Sequence, residues 1–288
     1  MMSERGGAIR PVARIPECGC RQLLISFLSK SCRICLYLQL AILFSCLLPD
    51  FPAAQSDNSP VVRRGHAHND YYHTRPLHDA LDCGFGSVEA DIFLNNGELQ
   101  VGHDRLELVP GRTLESMYLD PLRKIVKRNG GFVYPDGSPF VLMIDIKSDG
   151  AKVYRELQRR LPAYKDMLSH LEDGKYIERA VQIVISGDRP EALMAADTRR
   201  YAGIDGRIKD LDSDRPAHLM PMISDRWGSH FTWRGRGEIP AEQRQRLQAC
   251  VNKAHQRGRR IRFWATPESP AMWRVLLEVG VDHINTDK

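Results

Sequence analysis

Two histidines and three carboxylates stand in a pattern that could hold a cation and move protons: Gly65-His66, Glu89-Ala90-Asp91, Gly102-His103 and Asp145-Ile146-Lys147. Glu89 and Asp91 lie inside Ser87-Val88-Glu89-Ala90-Asp91-Ile92-Phe93, and Asp145 closes Val141-Leu142-Met143-Ile144-Asp145, both apolar runs of strand length. Residues i and i+2 of a strand share a face, so Glu89 projects with Asp91, and Asp145 with Lys147. Carboxylates that converge in such a setting lose hydration and repel one another. A divalent cation removes both penalties, and an all-oxygen donor set favours Mg²⁺ or Ca²⁺ over zinc. Histidine titrates close to neutrality, so one of His66 and His103 could take a proton from a nucleophile while the other protonates a leaving oxygen. Lys147 would then hold an anionic oxygen of the substrate.

The elements that must position these groups alternate from Val61 onward. The pattern predicts strands at 61–66, 87–93, 140–147, 181–186, 201–205, 219–224, 260–265 and 281–285, with a short extended return at 99–103 after the Asn96-Gly97 turn. Helices are expected at 76–83, 113–129, 152–160 and 241–257; the last opens at Pro240, carries the stripe Leu247, Val251 and Ala254, and closes at Gly258. Eight strands alternating with helices suit a doubly wound sheet or a (β/α)8 barrel, and no Gly-rich dinucleotide loop supports the former. A barrel would gather His66, Asp91, Lys147, Ser186, Asp205, Ser224, Trp264 and Asn285 at strand C-terminal ends around one mouth. Ser186 and Ser224 have no His-Asp arrangement beside them, so no serine-nucleophile triad is expected.

The first 54 residues read differently from the remainder. Basic residues from Arg10 to Arg33 precede an apolar run at 34–48 and the small residues Ala53-Ala54, the order of an export signal; an uncleaved anchor at 34–48 is the alternative. The run is short for a membrane span, which needs about 20 residues. Residues 55–288 are then expected to form one domain and to be exported, to the periplasm or beyond the cell. The leader carries six Lys/Arg and three Asp/Glu, which leaves 35 basic and 33 acidic groups, a net charge of about +2. Such a balance gives no nucleic-acid footprint. Five of the seven cysteines fall in the leader, and Cys83 and Cys250 alone cannot build a disulfide framework or a Cys-type zinc site.

Taken together, Gly65-His66-Ala67-His68-Asn69-Asp70-Tyr71, Ser87-Val88-Glu89-Ala90-Asp91, Tyr118-Leu119-Asp120-Pro121-Leu122, Arg262-Phe263-Trp264-Ala265-Thr266-Pro267 and Asn285-Thr286-Asp287 resemble the phospholipase C-like and glycerophosphodiester phosphodiesterase TIM barrels. Within that superfamily the chain looks nearest to the branch related to the altered inheritance of mitochondria protein. The resemblance implies a TIM barrel with one divalent cation on Glu89, Asp91 and Asp145, and His66 and His103 as acid and base. It also implies a phosphodiester substrate, a phospholipid headgroup or a glycerophosphodiester, with a membrane surface as a further contact. Lys147, Asn69 and Trp264 are the expected substrate contacts, and Asp104 is expected to orient His103. His66-x-x-Asn69 and Asp145-x-Lys147 are closer to the venom-type sphingomyelinase pattern than to most glycerophosphodiesterases. A lyase that stops at a cyclic phosphate is therefore one alternative, and a non-catalytic phosphate- or lipid-binding barrel is the other. The bland reading of Glu89 and Asp91 is an ion-paired strand end with Arg64 or Lys147. The given sequence stops at Lys288, directly after the eighth strand, where such barrels normally add a helix; a barrel without it would expose part of its flank and is expected to be less stable or to associate there.

Overall fold

In the computed structural model residues 61–288 are described, and the expected leader lies outside them. Strand β1 is Gly65–Ala67, preceded by a 3-10 turn at Val61–Arg64. The strand expected at 61–66 is thus shorter and shifted toward the mouth. Helix α1 (His78–Asp82) leads to β2 (Ser87–Asn95), which turns at Asn96-Gly97 into the antiparallel β3 (Glu98–Val101). Both turn residues have positive φ, 49° and 80°, as a tight hairpin requires.

The helix expected at 113–129 is broken. A π-turn at Glu115–Leu119 runs into α2 (Asp120–Arg128), whose second residue is Pro121. Proline has no N–H to donate back into the preceding turn, so a regular i to i−4 ladder cannot run through this point. Then come β4 (Phe140–Ile146), α3 (Gly150–Arg160), and a small hairpin of β5 (His170–Glu172) and β6 (Lys175–Ile177). The chain continues through β7 (Val181–Gly187), α4 (Glu191–Ala196), β8 (Ala202–Gly206), β9 (Met222–Arg226) and α5 (Trp227–His230). It ends with α6 (Ala241–Gln256), β10 (Arg260–Trp264), α7 (Pro270–Val279) and β11 (His283–Thr286).

Strands β1, β2, β4, β7, β8, β9, β10 and β11 pair in parallel, and β1 bonds to both β2 and β11, so the sheet closes into an eight-stranded barrel. The expected (β/α)8 fold is the observed one. Alternation decides which residues see the interior. Val88, Ala90 and Ile92 of β2, Leu142 and Ile144 of β4, and Ile183 and Ile185 of β7 join the main apolar shell beneath the helices. Val141, Met143, Val184 and Met222 form a separate small apolar cluster. The buried stripe of α6, Leu247, Val251 and Ala254, is the expected one. Cys83 and Cys250 are free thiols, and no helix among the described residues is long and apolar enough to cross a membrane.

Candidate active site

Register brings the acidic groups together. Asp91 lies opposite Asp145, and Asp145 opposite Ser186, at one level of the barrel. Glu89 sits two residues below Asp91 on the same face of β2. One carboxylate oxygen from each of Glu89, Asp91 and Asp145 lies within 4.8 Å of the others. Gly187 makes this possible: with φ at +68°, a Cβ there would stand 2.4 Å from Asp145 Oδ1, so a side chain would drive the carboxylate out.

Asp91 is the hub. Its Oδ2 accepts from Tyr71 Oη at 2.7 Å, lies 2.9 Å from His103 Nδ1 and pairs with Lys147 Nζ at 2.6 Å. Its Oδ1 is buried and has no partner. A buried carboxylate oxygen seldom stands alone, and one aimed into a three-carboxylate cluster fits a cation ligand. Lys147 also reaches Asp145 Oδ1 at 3.3 Å. Burial alone would weaken the Lys147 ammonium, but Asp145 and Asp91 outweigh it and hold the group charged. Tyr71 is pushed up by burial and by Asp91, so it stays a neutral donor. Asn69 adopts a left-handed backbone, φ 48°, and its Oδ1 is 3.0 Å from Tyr71 Oη, which puts the loop after β1 beside the cluster.

His66 is fully buried beneath Glu89, with Nδ1 2.7 Å from Ser87 Oγ and Nε2 3.0 Å from Glu89 Oε2. Arg262, from β10, inserts Nη1 against both: it donates to Glu89 Oε2 at 2.7 Å and touches His66 Nε2. A guanidinium only donates, and Nη1 carries two protons, one for each neighbour. His66 is then neutral, with its own proton on Nδ1 toward Ser87. Burial and Arg262 push its pKa down to about 4, in accord with that tautomer. Burial opposes ionisation of Glu89, but Arg262 and His66 outweigh it and hold the carboxyl well below the usual range.

His103 is different: half of its side chain is exposed, and it borders a cavity of about 650 Å³ lined by Phe93, Asp104, Arg105, Leu106 and Lys147. Its Nδ1 is held by Asp91 and its backbone N–H donates to Glu107, so Asp91 and not the expected Asp104 orients it. Trp264 is half-buried at the end of β10, two residues beyond Arg262 on the same face. Ser186 and Ser224 both donate to Asp205, which also pairs with Arg207 at 2.8 Å, so neither is an activated nucleophile. Lys147 is an ion-pair partner as the bland reading has it, whereas Arg64 bonds to the Leu277 carbonyl.

Asp145 is a member of the cluster that burial disfavours as a carboxylate. Burial, reinforced by Glu89 and Asp91 and only partly offset by Lys147, raises its pKa from 3.8 to about 6. The folded chain without metal therefore keeps this proton where the unfolded chain has lost it, and its stability falls as pH rises from about 4 to about 6. A divalent cation held by these carboxylates would have to displace the proton, so the stabilisation it gave would grow across the same window and be complete above it. Melting with saturating Mg²⁺ or Ca²⁺ is expected to give a clearly larger rise in Tm at pH 7.5 than at pH 5. Equal rises would show that Asp145 is not a ligand.

The chain is 29% identical to the altered inheritance of mitochondria protein 6 of Eremothecium gossypii, over 79% of this chain and 68% of that protein. A homologue of the same protein from Arthroderma benhamiae is 27% identical over 81% of this chain and 87% of its own length. Among solved structures, a glycerophosphodiester phosphodiesterase from Parabacteroides distasonis superposes with a TM-score of 0.46 at 15% identity, over 78% of this chain and 92% of that one. Residues 260–288, which include Arg262 and Trp264, match the glycerophosphoryl diester phosphodiesterase family. Residues 55–205 match the AIM6-like phosphodiesterase domain. That stretch is more than half of the chain and contains both imidazoles, all three carboxylates and Lys147, so the chain belongs to the AIM6-like phosphodiesterase domain family.

Proposed function

We propose that the barrel is a metal-dependent phosphodiester hydrolase acting on a phospholipid headgroup or a glycerophosphodiester, in an exported protein. The observation that carries this reading is the partnerless, buried Asp91 Oδ1 inside a cluster whose other members are Glu89 and Asp145, with an imidazole at each end. These three carboxylates would hold one Mg²⁺ or Ca²⁺, which when bound neutralises charge on the nonbridging oxygens of the diester. His66, neutral and with its proton on Nδ1, suits the acceptor role at Nε2 once Arg262 yields that nitrogen. His103, pinned through Nδ1 by Asp91, leaves Nε2 to face the cavity and suits protonation of the leaving oxygen. Lys147 stands where a phosphate oxygen would approach Asp91 and Asp145, and Asn69 and Trp264 flank the same mouth.

The test is hydrolysis of bis(p-nitrophenyl) phosphate by the full chain. Turnover is expected to fall to background with EDTA and to return when Mg²⁺ or Ca²⁺ is added back. A folded protein that binds the ion, shown by a raised Tm, yet leaves this diester and phospholipid headgroups intact would instead be a binding barrel.

A further inference from the structure

Strand pairing sets a third imidazole beside the carboxylates. Strand β1 runs along β11 with Ala67 opposite Thr286, and the His68 amide donates to the Thr286 carbonyl at 3.1 Å. The ladder thus continues one residue past the strand and brings His68 next to Asp287. Alternation gives His68 the same face as His66, one step nearer the mouth. Its ring is held from behind: Nδ1 lies 2.6 Å from Asp287 Oδ1, and the Asp287 amide donates to Glu268 Oε1 at 2.6 Å. Its Nε2 faces the other way, toward Glu89 Oε1 at 3.9 Å. That is not the Glu89 oxygen already engaged, since His66 and Arg262 both meet Oε2.

Resting on the metal-dependent reading above, we propose that His68 is a fourth ligand of the divalent cation, a nitrogen added to the oxygens of Glu89, Asp91 and Asp145, and that Asp287 is the carboxylate that orients it. An ionised carboxylate can only accept, so the Nδ1 proton serves Asp287 and the Nε2 lone pair is left facing Glu89 Oε1. Two acceptors 3.9 Å apart share no hydrogen bond, and a cation between them satisfies both. Among the described residues neither atom makes a hydrogen bond to anything else. A carboxylate behind the ring is the usual support of a metal-binding histidine, because it fixes the tautomer and the ring direction and strengthens the donor nitrogen. His66 is not built for that task, since Ser87 and Arg262 stand at its two nitrogens. One nitrogen alters the choice of ion. Mg²⁺ and Ca²⁺ gain little from imidazole, whereas first-row transition ions accept it readily. The site should therefore take Mn²⁺ more tightly than Mg²⁺.

The experiment uses the full chain freed of metal with EDTA, and Mn²⁺ as the probe, because the cysteine thiols elsewhere in the chain favour softer ions. Wild type is expected to bind Mn²⁺ about tenfold more tightly than Mg²⁺, and pulsed EPR of the bound Mn²⁺ should show coupling to a ligand nitrogen. His68→Gln is expected to lose that coupling and to weaken Mn²⁺ by about a hundredfold, while Mg²⁺ changes by less than about threefold. Asp287→Asn alters a mostly exposed side chain, so it tests the assignment even if His68→Gln does not fold. It should keep the coupling and weaken Mn²⁺ by about tenfold. The proposal is overturned by a wild-type protein without nitrogen coupling, or by a coupling that survives His68→Gln. Equal losses of Mn²⁺ and Mg²⁺ affinity overturn it too, and would make His68 only a bridge between Asp287 and Glu89. A chain that binds Mn²⁺ through His68 yet leaves phosphodiesters intact would defeat the hydrolase reading and leave the ligand standing. Hydrolysis by a protein whose Mn²⁺ shows no nitrogen coupling would do the reverse.

Discussion

Asp91→Asn is expected to lower turnover of a soluble phosphodiester by about a thousandfold while leaving the protein folded. The substitution is nearly isosteric, so the packing of Tyr71, His103 and Lys147 around the side chain survives. What changes is charge. Oδ1, the partnerless oxygen, loses the anionic character that would hold a cation, and the carboxylate that fixes His103 through Nδ1 becomes an amide. Lys147 keeps only Asp145 as a charged neighbour. Three contributions thus fail together, and they should not add as separate losses, because each depends on the same carboxylate. Stability should move the other way. Without metal, removing one of three mutually repelling carboxylates is expected to leave Tm unchanged or raise it. The stabilisation by Mg²⁺ or Ca²⁺ should shrink. Steady-state kinetics and melting with and without the ion check both arms, and activity within tenfold of wild type would remove Asp91 from the site.

Much of this site was legible because it sits on strands. Period-2 alternation puts Glu89 with Asp91 on one face, and strand length sets Asp145 at the level of Asp91, so the residue types alone suggested a cation site. Arg262 stands in one of the resembling stretches but was given no role in the site, although its signal was present: Arg260, Arg262 and Trp264 alternate with Ile261 and Phe263. On an ordinary half-exposed strand the arginines would face water, but a barrel strand has no solvent face, and its second side is the lumen. Tyr71 is another matter. It lies in a loop whose path depends on Asp70, whose Oδ2 accepts from the Leu77 amide and from Tyr118, contacts 7 and 48 residues away that no local pattern encodes. The β5–β6 hairpin was readable from Asp173-Gly174, whose φ values of 51° and 72° are those of a tight hairpin turn. The first strand was misplaced because Val61 and Val62 favour extended structure by composition, while the chain at this point makes a 3-10 turn at Val61–Arg64.

Arg262→Met is expected to destabilise the metal-free protein by about 3–5 kcal/mol, the usual result of leaving a buried charge without its partner. For a domain of this size that corresponds to a loss of about 10 °C in Tm. Glu89 is 4% exposed, and its carboxylate is compensated chiefly by this guanidinium. The imidazole beneath it should respond in the opposite sense. Arg262 depresses His66 while Glu89 raises it, so without the arginine the His66 pKa is expected to climb from about 4, by an amount that NMR titration of the ring reads directly. Arg262→Lys keeps the charge but loses the reach and the fixed planar direction that aim Nη1 between Glu89 and His66, and should recover stability better than it recovers the His66 tautomer. Divalent metal separates the two tasks of this residue. If Arg262 acts mainly as the counter-ion of Glu89, a bound cation should supply the missing charge, and Mg²⁺ or Ca²⁺ should raise the Tm of Arg262→Met more than that of wild type. Turnover would then stay low because the proton on His66 is no longer confined to Nδ1. An Arg262→Met protein with the wild-type Tm in EDTA would show that Glu89 is neutral in the resting barrel, and that the cluster must lose two protons, from Glu89 and Asp145, before a cation can enter.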